Sequence, residues 1–236
     1  MSGVLLAATG VAVYGEDGAA TTTRHCQPVW KLVLPLDGQL RLTSVDGREV
    51  VASGLLVPPG MPHAVAATGG YRCLMVEPWV DRFFTVKEPV NLQERLVRQL
   101  IADLTSELTH GTGELAAVAV EALSRLHRET RLPEAAAPLP LIRRAAVEAG
   151  DVARLGDLAE QIGLSPVQLR RLVRQQLGVT LSQLRQWQRL RSAFATDAGS
   201  LAQRAADAGY SDQAHMTRAS RRFVGRTPAE VVQAEP

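Results

Sequence analysis

The side chains with the clearest chemical purpose in this sequence are the arginines of its second half. Residues 141–236 hold 14 cations, all arginine, against 9 carboxylates, a net of +5. Residues 1–140 hold 12 cations against 15 carboxylates, a net of −3, and include the only lysines, Lys31 and Lys87. A guanidinium is a planar fork of donors that fits a phosphate or the major-groove edge of guanine. A GC-rich genome would also put arginine in place of lysine, but it would not separate the signs along the chain. The asymmetry points to a basic nucleic-acid module joined to a neutral or acidic partner.

The spacing of these arginines follows an internal duplication. Ala159, Gly163 and Ser165 recur as Ala205, Gly209 and Ser211, and Arg171, Gly178 and Thr180 recur as Arg218, Gly225 and Thr227. Each copy reads as a short helix with a small Ala where another helix crosses, a Gly turn, and a second helix capped by Ser. Ser165-Pro166-Val167-Gln168 supplies cap, N1 proline and capping-box glutamine. This is a helix-turn-helix pattern, and it occurs twice in register. In the first copy Leu169, Leu172 and Val173 face inward, leaving Val167, Arg170, Arg171 and Arg174 outside. In the second, Met216, Ala219 and Phe223 face inward. Gln213, His215 and Arg218 face outward there, with Arg221 and Arg222 at the end of the helix. Thr180-x-x-Gln183 and Thr227-x-x-Glu230 open two further helices. Helix starts bind phosphate well, so Ser165, Thr180 and Thr227 are candidate phosphate contacts.

Elements that could position this module precede it. Residues 4–77 read as short β-strands between turn signals, among them two Asp-Gly pairs, Asp37-Gly38 and Asp46-Gly47, each predicting a hairpin. Their spacing suggests a sandwich or barrel. Beyond Trp79, Leu92, Leu96, Leu100, Leu104 and Leu108 recur every fourth residue on one helix face. Gly111-Thr112-Gly113 breaks that helix, and a second covers about 114–131. The stripe is either intramolecular core or a dimer seam; two apolar faces beside a small β-domain have few internal partners, so dimerisation is the favoured expectation. Three prolines in residues 132–140 read as a stiff linker.

With these motifs in hand, the C-terminal part resembles the AraC family of bacterial transcription regulators. The carrying segments are Asp157-Leu-Ala-Glu-Gln-Ile-Gly-Leu-Ser-Pro, Arg171-Leu-x-Arg, and Gly209-Tyr-Ser-Asp-Gln-Ala-His-Met-Thr-Arg-Ala through Gly225-Arg-Thr-Pro. The resemblance covers about residues 141–234. It implies two helix-turn-helix units joined by a long helix, each placing a recognition helix in the DNA major groove. It also assigns base reading to Val167, Arg170 and Arg171, and to Gln213, Ala214, His215 and Arg218. The family usually has an apolar residue at the place of Arg204 and an aromatic at that of Ser220. The connecting helix reads three or four residues short before Ser200. Specificity is therefore expected to rest more on the first unit.

The N-terminal part carries Pro58-x-Gly60-x-x-His63 and, upstream, His25-x-Gln27, Lys31 and Gly38. These resemble the cupin β-barrel over about residues 20–78. In metal-binding cupins the corresponding positions are ligands. Here they are His25, Gln27, Lys31 and His63, and neither an ammonium nor an amide is a useful ligand. No metal or cofactor is expected; the four residues are a candidate ligand pocket instead. The alternative reading is a metal-dependent cupin enzyme fused to a DNA-binding domain. Cys26 and Cys73 are too few for a disulfide scaffold or a four-thiolate zinc site. No apolar run approaches the roughly 20 residues of a membrane span, and no basic stretch precedes Val4-Leu5-Leu6, so a cytoplasmic protein is expected.

The expectation is thus an α+β multidomain chain: a cupin-like β-barrel sensor over 1–84, a helical dimerisation segment over 85–131, a linker over 132–140 and an all-α double helix-turn-helix domain over 141–236. Its expected partners are double-stranded DNA, a small-molecule effector, a second copy and RNA polymerase; no catalytic residue and no membrane contact is expected.

Overall fold

The computed structural model describes residues 4–80, 84–108, 115–151, 154–195 and 199–232. The β-region forms two antiparallel sheets. The larger contains β1 (Val4–Ala8), β2 (Val11–Glu16), β9 (Tyr71–Val76), β4 (Trp30–Pro35), β7 (Leu55–Val57) and β10 (Val90–Asn91), in that spatial order. The smaller contains β3 (Ala20–Thr21), β8 (His63–Ala67), β5 (Leu40–Ser44) and β6 (Glu49–Ala52). Neither sheet closes on itself among the described residues. The arrangement is an open two-sheet domain rather than a hydrogen-bonded barrel.

The two Asp-Gly signals have different outcomes. Asp46-Gly47 makes a hairpin, with Thr43 of β5 opposite Glu49 of β6. Asp37-Gly38 instead carries the chain from the larger sheet to the smaller, because β4 and β5 belong to different sheets. The corner is pinned from outside the turn: Asp37 accepts from Gly70 N at 2.6 Å, and Leu36 N donates to Gly70 O at 2.7 Å. A local turn signal sets the reversal but not which strand the returning chain pairs with.

Strand β4 is buried along its whole length. Trp30, Leu32 and Leu34 face one side and Val33 the other, as strand alternation requires. The first side is covered by α1 (Glu94–Leu108) and α2 (Leu115–Thr130). Leu92, Leu96, Leu100 and Leu104 pack there with Leu115, Leu123 and Leu126, directly on the sheet. The expectation of a dimer seam on this stripe is corrected by that packing. The stripe is intramolecular core, and the hairpin is a layer of the β-domain rather than a free segment. The breaker Gly111-Thr112-Gly113 lies outside the described residues.

The stretch expected as linker lies along the β-domain. Glu134 bridges Phe84, and Thr85 N donates to Pro133 O at 2.9 Å. Then α3 (Pro140–Glu148), α4 (Leu155–Gln161) and α5 (Pro166–Leu177) form a first helical unit around Ile142, Leu158, Ala159, Leu169 and Val173, with Trp79 in the same core. The long α6 (Leu181–Phe194) leads to α7 (Leu201–Asp207), α8 (Gln213–Val224) and α9 (Pro228–Val232). The core of this second unit, Trp187, Leu190, Ala205, Met216 and Phe223, is continuous with the interior between the sheets through Ala12, Tyr14 and Met75.

Leu104 has no exposed surface. Leu104→Ala is expected to lower unfolding free energy by about 2–5 kcal/mol in urea titration, from lost burial plus the cavity. Its sedimentation behaviour should match the parent chain; a shift towards monomer would restore the dimer-seam reading.

Candidate nucleic-acid interface

The two candidate recognition helices are built alike. Ser165 accepts from Gln168 N at 3.3 Å and its own N–H is taken by Gln168 Oε1 at 3.0 Å, the reciprocal capping box. Pro166 follows at N1, and Gly178 ends α5 with φ of 71°. Helix α8 ends the same way at Gly225, with φ of 77°. Both turns sit in the left-handed region that costs glycine least. The start of α8 differs from expectation: its cap is Asp212, which accepts from His215 N at 2.6 Å, and not Ser211. The extra residue in the second copy is this aspartate, which caps a helix as well as serine does and stands one position closer to α8.

Burial follows the sequence reading. Leu169 and Val173 are buried and Leu172 half-buried, while Val167, Arg170, Arg171 and Arg174 are exposed. Val167 is 66% exposed, a large apolar side chain in water on the first turn of α5. In α8, Met216 and Phe223 are buried and Ala219 half-buried; Gln213, Ala214, Arg218, Arg221 and Arg222 are exposed and His215 is half-buried. Thr180 caps α6 through Gln183. At α9, Thr227 N and Oγ1 both donate to the Glu230 carboxylate, at 2.6 and 2.7 Å. That carboxylate stands where a phosphate at Thr227 would have to sit. Among the departures, Arg204 is buried in α7 at 6% exposure. Ser220 is fully buried and donates to Arg226 O at 2.6 Å. The residues between Phe194 and Ser200 include 196–198, which lie outside the described residues.

The sequence did not foresee how firmly the β-domain holds the second unit. Thr23 N donates to Gly225 O at 2.9 Å, Thr23 Oγ1 reaches the same oxygen at 2.9 Å, and Cys26 N donates to Arg222 O at 2.8 Å. The last carbonyls of α8 thus end on the β-domain. A side chain at Gly225 would meet Thr23 O at 2.5 Å and His25 Nδ1 at 2.6 Å, so the approach itself requires glycine. Beside it, Arg226 pairs with Glu16 and reaches Tyr14 Oη at 3.0 Å, and Tyr14 donates to Glu16. Further along, the buried Glu77 accepts from Trp79 Nε1 and from Gln188 Nε2 of α6, each at 2.8 Å, with Arg191 at 3.6 Å. No spacing rule announces the pairs that join the β-domain to α6 and to the end of α8, since their members are more than 100 residues apart.

The proposed pocket residues are largely brought together. His25 and His63 lie with ring centroids 4.4 Å apart, and Lys31 Nζ is 3.1 Å from His25 Nε2. Each Nδ1 donates to a carbonyl, His25 to Thr23 O at 2.9 Å and His63 to Met61 O at 2.8 Å. His25 Nε2 therefore accepts from Lys31, on the lone pair a metal would need. Gln27 is 1% exposed; its amide and His63 Nε2 find no hydrogen-bond partner among the described residues. Burial, with the Lys31 ammonium adding, pushes His25 down to about 2 and His63 down to about 3, and burial depresses Lys31 as well. Burial raises both thiols, so Cys26 and Cys73 are poor nucleophiles.

Comparison with known proteins agrees with this architecture. Residues 158–234 match a family described as a helix-turn-helix domain. A search of curated proteins gives no match. Among solved structures, an apo form of ToxT from Vibrio cholerae is similar with a TM-score of 0.63 at 11% identity, over 97% of this chain and 99% of that one. ToxT with a bound unsaturated fatty acid has a TM-score of 0.59 at 10% identity, over 98% and 95%. ToxT bound to (E)-4-(8-methylnaphthalen-1-yl)but-3-enoic acid has 0.63 at 10%, over 99% of both chains. At such identities the likeness establishes the fold: a ToxT-like arrangement of an N-terminal sheet domain and a C-terminal helical region.

Two measurements probe these contacts. Both histidines have folded pKa values below the unfolded value of about 6.5, so the unfolded chain binds the extra protons. Stability should fall as pH drops below about 6.5, by up to about 1.4 kcal/mol per pH unit for each ring. The raised Glu77 acts in the opposite sense, so the histidine share is read as the slope that His63→Gln removes. Gly225→Ala should destabilise by more than the roughly 1 kcal/mol of an exposed left-handed position, because the neighbouring backbone must also move. An unchanged melting temperature would mean that the β-domain does not hold α8 in solution.

Proposed function

Because its C-terminal region matches a helix-turn-helix domain family, we propose that this chain is an AraC-type, sequence-specific, ligand-modulated transcription regulator in which α5 and α8 are the recognition helices. The observation that carries the reading is the repeated construction of these helices: capped start, left-handed glycine end, apolar inner face and exposed arginines outside. Val167, Arg170 and Arg171 would read bases in one major groove, and Gln213, Ala214, His215 and Arg218 in the next. Arg174 and Arg221 would reach phosphates, as would the helix starts at Ser165 and Thr180. Glu230 makes Thr227 the weakest of those phosphate contacts.

Modulation would enter through the N-terminal domain, which we read as cupin-like. The two ToxT ligands named above are carboxylic acids. Here the buried Lys31, with orphaned polar atoms on Gln27 and His63, supports a ligand with an acidic or hydrogen-bonding head. His25 connects that cluster to the regulator's working end, since it shares the Thr23 backbone with Gly225. A ligand that binds better when the β-domain holds α8, or when it has let go, would shift how the second unit is presented. The same residues do not suit a metal-dependent enzyme, because Lys31 occupies the His25 lone pair and Gln27 adds only an amide. Among the described residues no helix is long and apolar enough to cross a membrane; a cytoplasmic setting fits DNA binding. A homodimer would have to use a surface other than the leucine stripe, and contact with RNA polymerase is the natural output.

Selection of duplexes from a random library tests the reading. Arg171→Ala is expected to weaken binding by about 1–3 kcal/mol and to relax preference at one base position. A loss spread evenly over all sequences would make Arg171 a backbone contact instead.

A further inference from the structure

We propose that the groove between α6 and α8 seats one phosphodiester of the DNA backbone, gripped by Arg189 and Arg222. This rests on α8 being a recognition helix, but neither residue belongs to the base-reading set. The groove is a cavity of about 300 Å³, lined by Gln186 and Arg189 of α6 and by Tyr210, His215, Arg218 and Arg222. Among the described residues no carboxylate lines it. Asp212, the cap of α8, is the carboxylate whose pKa Arg218 helps to lower, and Arg189 shares a neighbouring cavity with Asp151 and Asp207. Arg189, Arg218 and Arg222 make no ion pair with a carboxylate among the described residues, whereas Arg191 and Arg226 on the far side of the same unit do.

The cations are also held in place. Arg189 lies over the Tyr210 ring, 5.6 Å from its centroid. Arg222 donates to Gln186 Oε1 at 3.3 Å and lies over the Phe223 ring at 5.3 Å. Fixed guanidiniums lose less entropy on binding an anion than free ones do. Tyr210 is 6% exposed, and its hydroxyl finds no hydrogen-bond partner among the described residues. A buried donor without an acceptor, beside convergent cations without an anion, is the complement of a phosphate. Position favours DNA over a free ion. Arg222 stands one turn beyond Arg218 on α8, past the proposed base-reading residues Gln213, Ala214, His215 and Arg218 and across the groove from Arg189. A helix lying in a major groove meets the sugar-phosphate backbone along its flanks.

The backbone grip predicts a loss that is blind to sequence. Full-length protein is titrated by fluorescence anisotropy with selected and scrambled duplexes over a range of salt. Arg189→Ala and Arg222→Ala should each weaken binding about tenfold on every duplex and lower the slope of log K against log salt by about 1. Arg189→Lys and Arg222→Lys should keep that slope, which separates lost charge from lost fold. A single neutral methylphosphonate, moved along the duplex, should weaken the parent at one position where Arg222→Ala is already indifferent. Unchanged slopes in both alanine variants would overturn the groove, as would a loss confined to one base pair. So would stabilisation of the chain by inorganic phosphate that both alanine variants abolish while their DNA slopes stay unchanged. Failure of the parent to bind any duplex would overturn the recognition-helix reading along with it.

Discussion

Glu77 joins the three parts of this molecule. It stands just past the end of β9 with 1% of its surface exposed. It receives Trp79 Nε1, whose ring lies in the core of the first helical unit, and Gln188 Nε2 from the helix that connects the units. Gln188 Nε2 also donates to Ala146 O of α3 at 2.9 Å. Burial raises the carboxyl's pKa, and Arg191 and the two hydrogen bonds pull it back down. A buried charge persists only when its partners are in place, and removing one partner of such a set typically costs 3–5 kcal/mol. Sheet, first unit and connecting helix are therefore specified together. The cost of misplacing any of them is an unpaired charge in the interior.

What the sequence could disclose depended on the range of each signal. Caps, glycine ends and the helix-turn-helix repeat are local, and each was legible down to the residue, apart from the aspartate that displaces Ser211 at the start of α8. The leucine stripe was legible as a buried helix face, because periodicity reports burial. It could not say against what. The clue lay in β4, where Trp30–Pro35 has no alternating polar side and so must be covered twice. A sheet needing a second cover and a hairpin needing a partner satisfy one another, which leaves no stripe for a dimer. The Asp37-Gly38 corner failed for the same reason. Turn chemistry sets where the chain reverses, while pairing is decided by residues such as Gly70 that lie far along the chain.

The candidate site divides in the same way. Its outward arginines follow from helix geometry and needed no tertiary information. The contacts that hold the second unit, Glu16 with Arg226 and Thr23 with Gly225, join residues some 200 positions apart and left no pattern to find. Glycine at 225 had a local explanation as a helix end, and that explanation concealed the other one. The same residue must also be small enough for His25 and Thr23 to approach it.

This asymmetry between the two units bears on how control could operate. The first unit has a core of its own, to which the β-domain adds Trp79 and Val80. The second has a buried arginine, Arg204, and a buried serine, Ser220, among its apolar residues. Its remaining apolar residues share one core with the sheets. What the second unit lacks in internal packing, the β-domain supplies. A unit stabilised from outside is the one whose presentation a sensor can change at low cost, because the free energy that holds it is already shared between the two domains. The line from Lys31 through His25 and Thr23 to Gly225 ends on that unit and not on the first. The departures at Arg204 and Ser220 then have a physical meaning. They leave α8 in a unit whose placement is supported by the domain beside it.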